Sequence, residues 1–158
     1  NEHCKNAMSL ADFVNQVHPT LKDILRTTDL GFANGVSNIL IKNLNNLPSI
    51  KRPIHCSDPK RLKFYIKDEK GWNIDASNTK VDNVIETVTK KQIKELRNWE
   101  IKNPDYLDND LKLKQWQIMI RNIMGPSNDV ERDKVNKNIM KQIGENTILK
   151  NAILDYKS

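Results

Sequence analysis

The stretch Leu62-Lys-Phe-Tyr-Ile-Lys67 alternates apolar and polar residues with a period of two, and no other part of the chain shows that pattern as clearly. Leu62, Phe64 and Ile66 then share one face of a strand, and Lys63, Tyr65 and Lys67 share the other. Asp68-Glu-Lys-Gly71 follows as a turn, with Gly71 suited to the positive φ that closes a short, bulged hairpin. Trp72 and Ile74 return on a partner strand. Just upstream, Pro53 and Pro59 bracket Ile54-His-Cys-Ser-Asp58, an edge strand or extended segment. Helical patterns flank this region on both sides, so the expected class is α+β, mostly α.

Ser9-Leu-Ala-Asp12 reads as a capping box that opens a short helix carrying Leu10, Phe13, Val14 and Val17, ended by Pro19. Leu21, Ile24 and Leu25 predict another turn or two of helix before Thr27-Thr28. Asp29 is placed to cap a helix from about Leu30 to Leu47, with Phe32, Val36, Ile39, Leu40, Leu44 and Leu47 at helical spacing. Gly31 and Gly35, four apart on it, predict close approach of another element. Beyond the hairpin, Thr79 with Asp82 opens a long helix whose core positions are Val81, Val84, Ile85, Val88, Leu96 and Trp99, stopping before Asn103-Pro104. A helix from about Asp108 to Met124 carries Leu113, Trp116, Ile120 and Ile123. After Gly125-Pro126-Ser127, Asn128 and Glu131 start the last helix, expected to bury Val135, Ile139, Ile143 and Ile153. Residues 1–158 read as a single domain: N-terminal helices plus β-hairpin over 1–77, and a C-terminal three-helix segment over 78–158. The order from Asp29 to Asp75, a helix feeding a β-wing, also fits a winged-helix-like element.

The chain carries 26 Lys and Arg against 20 Asp and Glu, a net charge of +6 that permits a polyanionic partner without requiring one. Lys, Asn and Ile share AT-rich codons, so base composition contributes to the excess. No apolar run approaches the roughly 18 residues of a membrane span, so no membrane partner is expected. The chain starts with Asn rather than Met, which reads as a fragment.

Two cysteines each follow a histidine, inviting a zinc site of His3, Cys4, His55 and Cys56. The pairs lack the short spacing of structural zinc ligands, and strand alternation points His55 and Cys56 to opposite faces. We therefore expect no metal, reduced thiols, a buried Cys56 and a hydrogen-bonded His55. The same divergence removes Cys56–His55 as a catalytic pair. No Gly-rich phosphate loop follows a strand, and Asp105, Asp108 and Asp110 lack the Gly and Glu of a calcium loop while suiting a helix N-terminus. The expectation is a non-enzyme without a cofactor.

The best functional signal is basic. Arg52, Lys60, Arg61, Lys63, Lys67 and Lys70 cluster within about twenty residues, with Tyr65 between Lys63 and Lys67 on one strand face. Cations interleaved with an aromatic suit a nucleic-acid backbone, DNA or RNA, the charges meeting phosphates and the ring stacking. The competing reading is an edge strand guarded by lysines against edge-to-edge pairing. The long helix from Thr79 is also rich in Lys, but its acids nearly balance it, and Glu86–Lys90 reads as a solvated pair. The alternative function is a protein-interaction or scaffold module with an apolar groove. Self-association through the last helix stays open.

Arg52-Pro-Ile-His-Cys-Ser-Asp58, Lys60-Arg61, Tyr65-Ile-Lys-Asp68 and Trp72 together resemble a poorly characterised domain found in proteins of nucleocytoplasmic large DNA viruses, the giant viruses. The resemblance extends through Gly35-Val-Ser-Asn-Ile-Leu-Ile41, Trp99-Glu100, Asn103-Pro104 and Met124-Gly-Pro-Ser-Asn128. It implies a viral protein acting in the host cytoplasm, at a viral factory or in the virion. Zinc-finger-like neighbours in such proteins imply nucleic-acid association by analogy. It assigns no catalytic residue.

Overall fold

The computed structural model describes residues 4–149. His3, one of the four weighed zinc ligands, and Ile153, expected in the last helix, lie outside the described residues. The architecture is α+β, mostly α: six helices around a three-stranded antiparallel sheet. The chain runs α1 (Leu10–Gln16), α2 (Leu21–Leu30), α3 (Phe32–Asn45), β1 (Ile54–Asp58), β2 (Lys63–Asp68), β3 (Gly71–Ile74), α4 (Thr79–Lys102), α5 (Asp110–Met124) and α6 (Asp129–Glu145). The strand order is β1-β2-β3, so β2 is the middle strand.

The period-two pattern does what it predicts. Phe64 and Ile66 are buried on the core face, and Gly71 has the expected positive φ of 126°, but it pairs directly with Asp68 as the first residue of β3, so Glu69-Lys70 make the turn and the expected bulge is absent. Leu62 is the exception: it sits at φ 53°, in the loop before β2, and is half-buried against the core. The sheet packs with α1, α3, α6 and the first half of α4 around one core that includes Phe13, Ile39, Leu40, Phe64, Ile85 and Ile139. That core draws on both sides of residue 77. A second core joins α2, α5 and the last turns of α4 through Ile24, Leu96, Trp99, Met119 and Ile123. Rings of Trp99, Tyr106 and Trp116 line its edge, with successive centroids 5.9 and 5.5 Å apart.

Two helix starts differ from expectation. Helix α2 runs straight through Thr27-Thr28-Asp29, because the two threonine hydroxyls donate to the carbonyls of Asp23 and Ile24 one turn back and stay helical. Asp29 therefore caps nothing, and Gly31 at φ 87° forms the junction to α3 instead of lying on it. The reciprocal capping box is at Thr20 and Asp23, whereas Ser9 caps α1 one way only. The second case is α4, whose first amides are held by the buried carboxylate of Asp75, at 3.0 Å from both Lys80 N and Val81 N, and not by Thr79. Gly35 does allow close packing: a Cβ there would overlap the Thr27 side chain, whose hydroxyl reaches Gln92 Oε1 at 2.8 Å.

Helix α3 feeds the sheet in the expected order, through a 3-10 turn over Ser49–Lys51. It packs against α2, α4, α5 and α6. Its outward stripe is Asn34, Asn38, Ile41, Lys42 and Asn45, whose one cation, Lys42, is held by Asp23 at 2.6 Å. Unlike the reading helix of a winged-helix protein, this stripe offers no free cation to a phosphate. Among the described residues, no helix is long and apolar enough to cross a membrane.

Candidate nucleic-acid interface

Strand register decides which of the basic residues can meet a polyanion. His55 lies opposite Tyr65, Tyr65 opposite Ile74, and Lys67 opposite Trp72, so these side chains share the outer face of the sheet with Lys63. That face is partly covered. The N-terminal residues Cys4 to Ala7 run across it: Trp72 Nε1 donates to Cys4 O at 3.0 Å, and the Cys4 thiol meets His55 Nε2 at 3.6 Å. The His55 and Trp72 rings lie 5.4 Å apart beneath this strap.

Lys67 belongs to the strap. Its ammonium donates to Lys5 O at 2.6 Å and to Ala7 O. Arg52 is likewise turned inward, its Nε donating to Leu44 O at 2.9 Å and Leu47 O at 3.1 Å, where it holds the carbonyls at the end of α3. Both cations thus serve backbone carbonyls, which a ligand phosphate would have to displace.

Lys60, Arg61 and Lys63 are different. They stand on the β1–β2 loop and the first position of β2, all exposed. Asp58 folds that loop by accepting from Lys60 N and Arg61 N at 3.1 and 3.2 Å. Its other oxygen lies 3.6 Å from Arg61 Nε, but the Arg61 side chain is 86% exposed, so this pair is weak. Among the described residues the ammonium groups of Lys60 and Lys63 make no hydrogen bond or ion pair. Tyr65, half-buried, flanks this group. Lys70 does not join it: the six residues of β2, at about 3.3 Å each, carry it to the far end of the sheet, roughly 17 Å away. The structure therefore brings together Lys60, Arg61, Lys63 and Tyr65, and separates Arg52, Lys67 and Lys70.

Lys63 and Lys67 do not guard an edge, because β2 is the middle strand. That removes the edge-protection reading for both and leaves Lys63 without a structural duty.

The histidine and cysteine residues sort by face. Cys56 is fully buried on the core side, where a Cβ on Gly144 would come within 3.1 Å of its sulfur, while His55 and Cys4 meet on the other side. Both thiols are free. Burial, reinforced by the charge of Arg52, pulls His55 down to about 4, and burial pushes the Cys4 thiol up. The pair is thus a neutral thiol beside a neutral imidazole, without the thiolate a nucleophile needs. Strand alternation in the sequence separates His55 from Cys56 but carries no signal that Cys4 would come to His55.

Comparison with protein-family models, with curated proteins and with solved structures yields no match.

Proposed function

We propose that this chain is a non-enzymatic nucleic-acid-binding domain of a giant-virus protein, acting in the host cytoplasm, at a viral factory or in the virion. Its contact surface is the β1–β2 corner, where Lys60, Arg61 and Lys63 meet phosphates and Tyr65 packs beside the backbone. The observation that carries the reading is that three exposed cations stand together on this corner, the Lys60 and Lys63 ammonium groups without a partner among the described residues and Arg61 held only by a weak, exposed pair with Asp58. Fluorescence anisotropy with labelled duplex DNA, single-stranded DNA and RNA across a salt series tests it. Replacing all three residues with Gln should lower the slope of log affinity against log salt by about two to three. An unchanged slope rejects the corner as the site.

One observation favours a second reading, an interaction or scaffold module with a viral or host protein partner. Ile101, Leu107 and Leu111 are 76%, 62% and 83% exposed around the connection between α4 and α5, and large apolar side chains exposed close together are a feature of partner-binding surfaces. Loss of a protein partner on Leu111→Glu, with nucleic-acid binding intact, would support it.

A further inference from the structure

A cleft of about 560 Å³ opens between α1, the β2–β3 turn and the first turns of α4, away from the β1–β2 corner. Its volume falls within the roughly 300–1,000 Å³ of small-molecule sites. Its apolar lining is Leu10, Ala11 and Val14 of α1, Ile66 of β2 and Val84 of α4, with Asn15, Asn83 and Thr87 adding uncharged polar groups at its rim. Its charged groups come from the end of β2, from the turn and from α4. Asp68 is internally used, one oxygen accepting from Lys70 N at 2.8 Å and the other from Asn73 Nδ2 at 3.1 Å. Lys67 is held by the strap. The lining charges without a hydrogen bond or ion pair among the described residues are Lys70, Lys80 and Glu69, two cations against one carboxylate.

We propose that this cleft binds a small amphipathic anion, its apolar body on Leu10, Val14, Ile66 and Val84 and its carboxylate, sulfonate or phosphate between Lys70 and Lys80. Apolar contact supplies the affinity, and the two ammonium groups choose the sign of the head group. The site is independent of the nucleic-acid reading, since neither Lys60, Arg61 nor Lys63 lines it.

Titration with 8-anilinonaphthalene-1-sulfonate, an aromatic sulfonate whose fluorescence rises in apolar surroundings, gives the direct test. One saturable site per chain is expected, emptied by decanoate but not by decyltrimethylammonium, both below their micelle concentrations. Lys80→Gln should weaken binding about tenfold, the loss expected for one charged hydrogen bond. Glu69→Gln should tighten it. Thr87→Trp, which fills the cleft from the surface of α4, should abolish it. If that bulky residue lowers the melting temperature, the exposed Lys80 and Glu69 variants carry the test alone. Absence of saturable binding to the folded protein overturns the proposal. So does equal displacement by the cationic and anionic decyl compounds, or an identical affinity in the Lys80 and Glu69 variants. The Lys60/Arg61/Lys63 triple variant should bind the dye as the unaltered chain does, so the two sites fail or stand separately.

Discussion

Lys67→Met separates the structural use of a lysine from a functional one. Methionine keeps most of the aliphatic stem along the sheet and removes only the ammonium group. Two charge-assisted hydrogen bonds to Lys5 O and Ala7 O disappear. Bonds to charged groups contribute about 1.5–3 kcal/mol each when enclosed, but these carbonyls sit at a partly exposed site and can rehydrate, so the summed loss should be about 1–2 kcal/mol. For a chain of this size that lowers the melting temperature by roughly 2–8 °C. Urea denaturation at pH 7 measures the loss, and hydrogen exchange should show faster opening of the amides near residues 4–8. The salt slope of nucleic-acid binding should not change. Unaltered stability together with a slope lower by about one would place Lys67 on a phosphate and refute the strap.

Three other outcomes follow from local geometry. Gly35→Ala adds a methyl group that overlaps Thr27; overpacking of about 1–3 kcal/mol outweighs the gain of up to about 1 kcal/mol in helix propensity, so denaturation should show net destabilisation. Asp75→Ala frees the amides of Lys80 and Val81 and should cost about 1–2 kcal/mol, visible as a lower urea midpoint with the same m-value. His55 is held at about 4 when folded and near 6.5 when unfolded, so the unfolded chain binds more protons between these values. Its contribution is complete above pH 6.5 and falls as pH drops through about 4, by up to about 3 kcal/mol. Denaturation curves at pH 7 and pH 4.5 should differ less in His55→Gln than in the unaltered chain.

The elements legible in the sequence are those whose signal is local and periodic. Phe64, Ile66 and Gly71 specify the hairpin, and the apolar spacing from Val81 to Trp99 gives the core positions of α4, which the fold then divides between two cores. Helix α2 is misread because threonine pairs suggest a break, whereas each hydroxyl here finds a carbonyl within its own helix. Asp75 is overlooked as a cap because it acts across five and six residues, outside the usual three-residue spacing. The basic cluster is legible as composition but not as a surface. Arg52 and Lys67 have the same sequence signature as Lys60 and Lys63, yet their long side chains reach backbone carbonyls contributed by Leu44, Leu47, Lys5 and Ala7. Only the tertiary path of the chain brings those acceptors near. The cleft is hidden for the same reason: Leu10, Ile66 and Val84 look like ordinary core positions, and nothing local shows that space remains beside them.

Titration of the isotopically labelled protein with a short oligonucleotide, followed by amide chemical shifts, tests the central claim most directly. The account predicts that the largest shifts fall on Ser57–Lys63 and Tyr65, weaken with added salt, and leave the amides of Lys5, Ala7 and Lys80 in place. Shifts concentrated around Ile101–Leu111, or none under low-salt conditions, would contradict it.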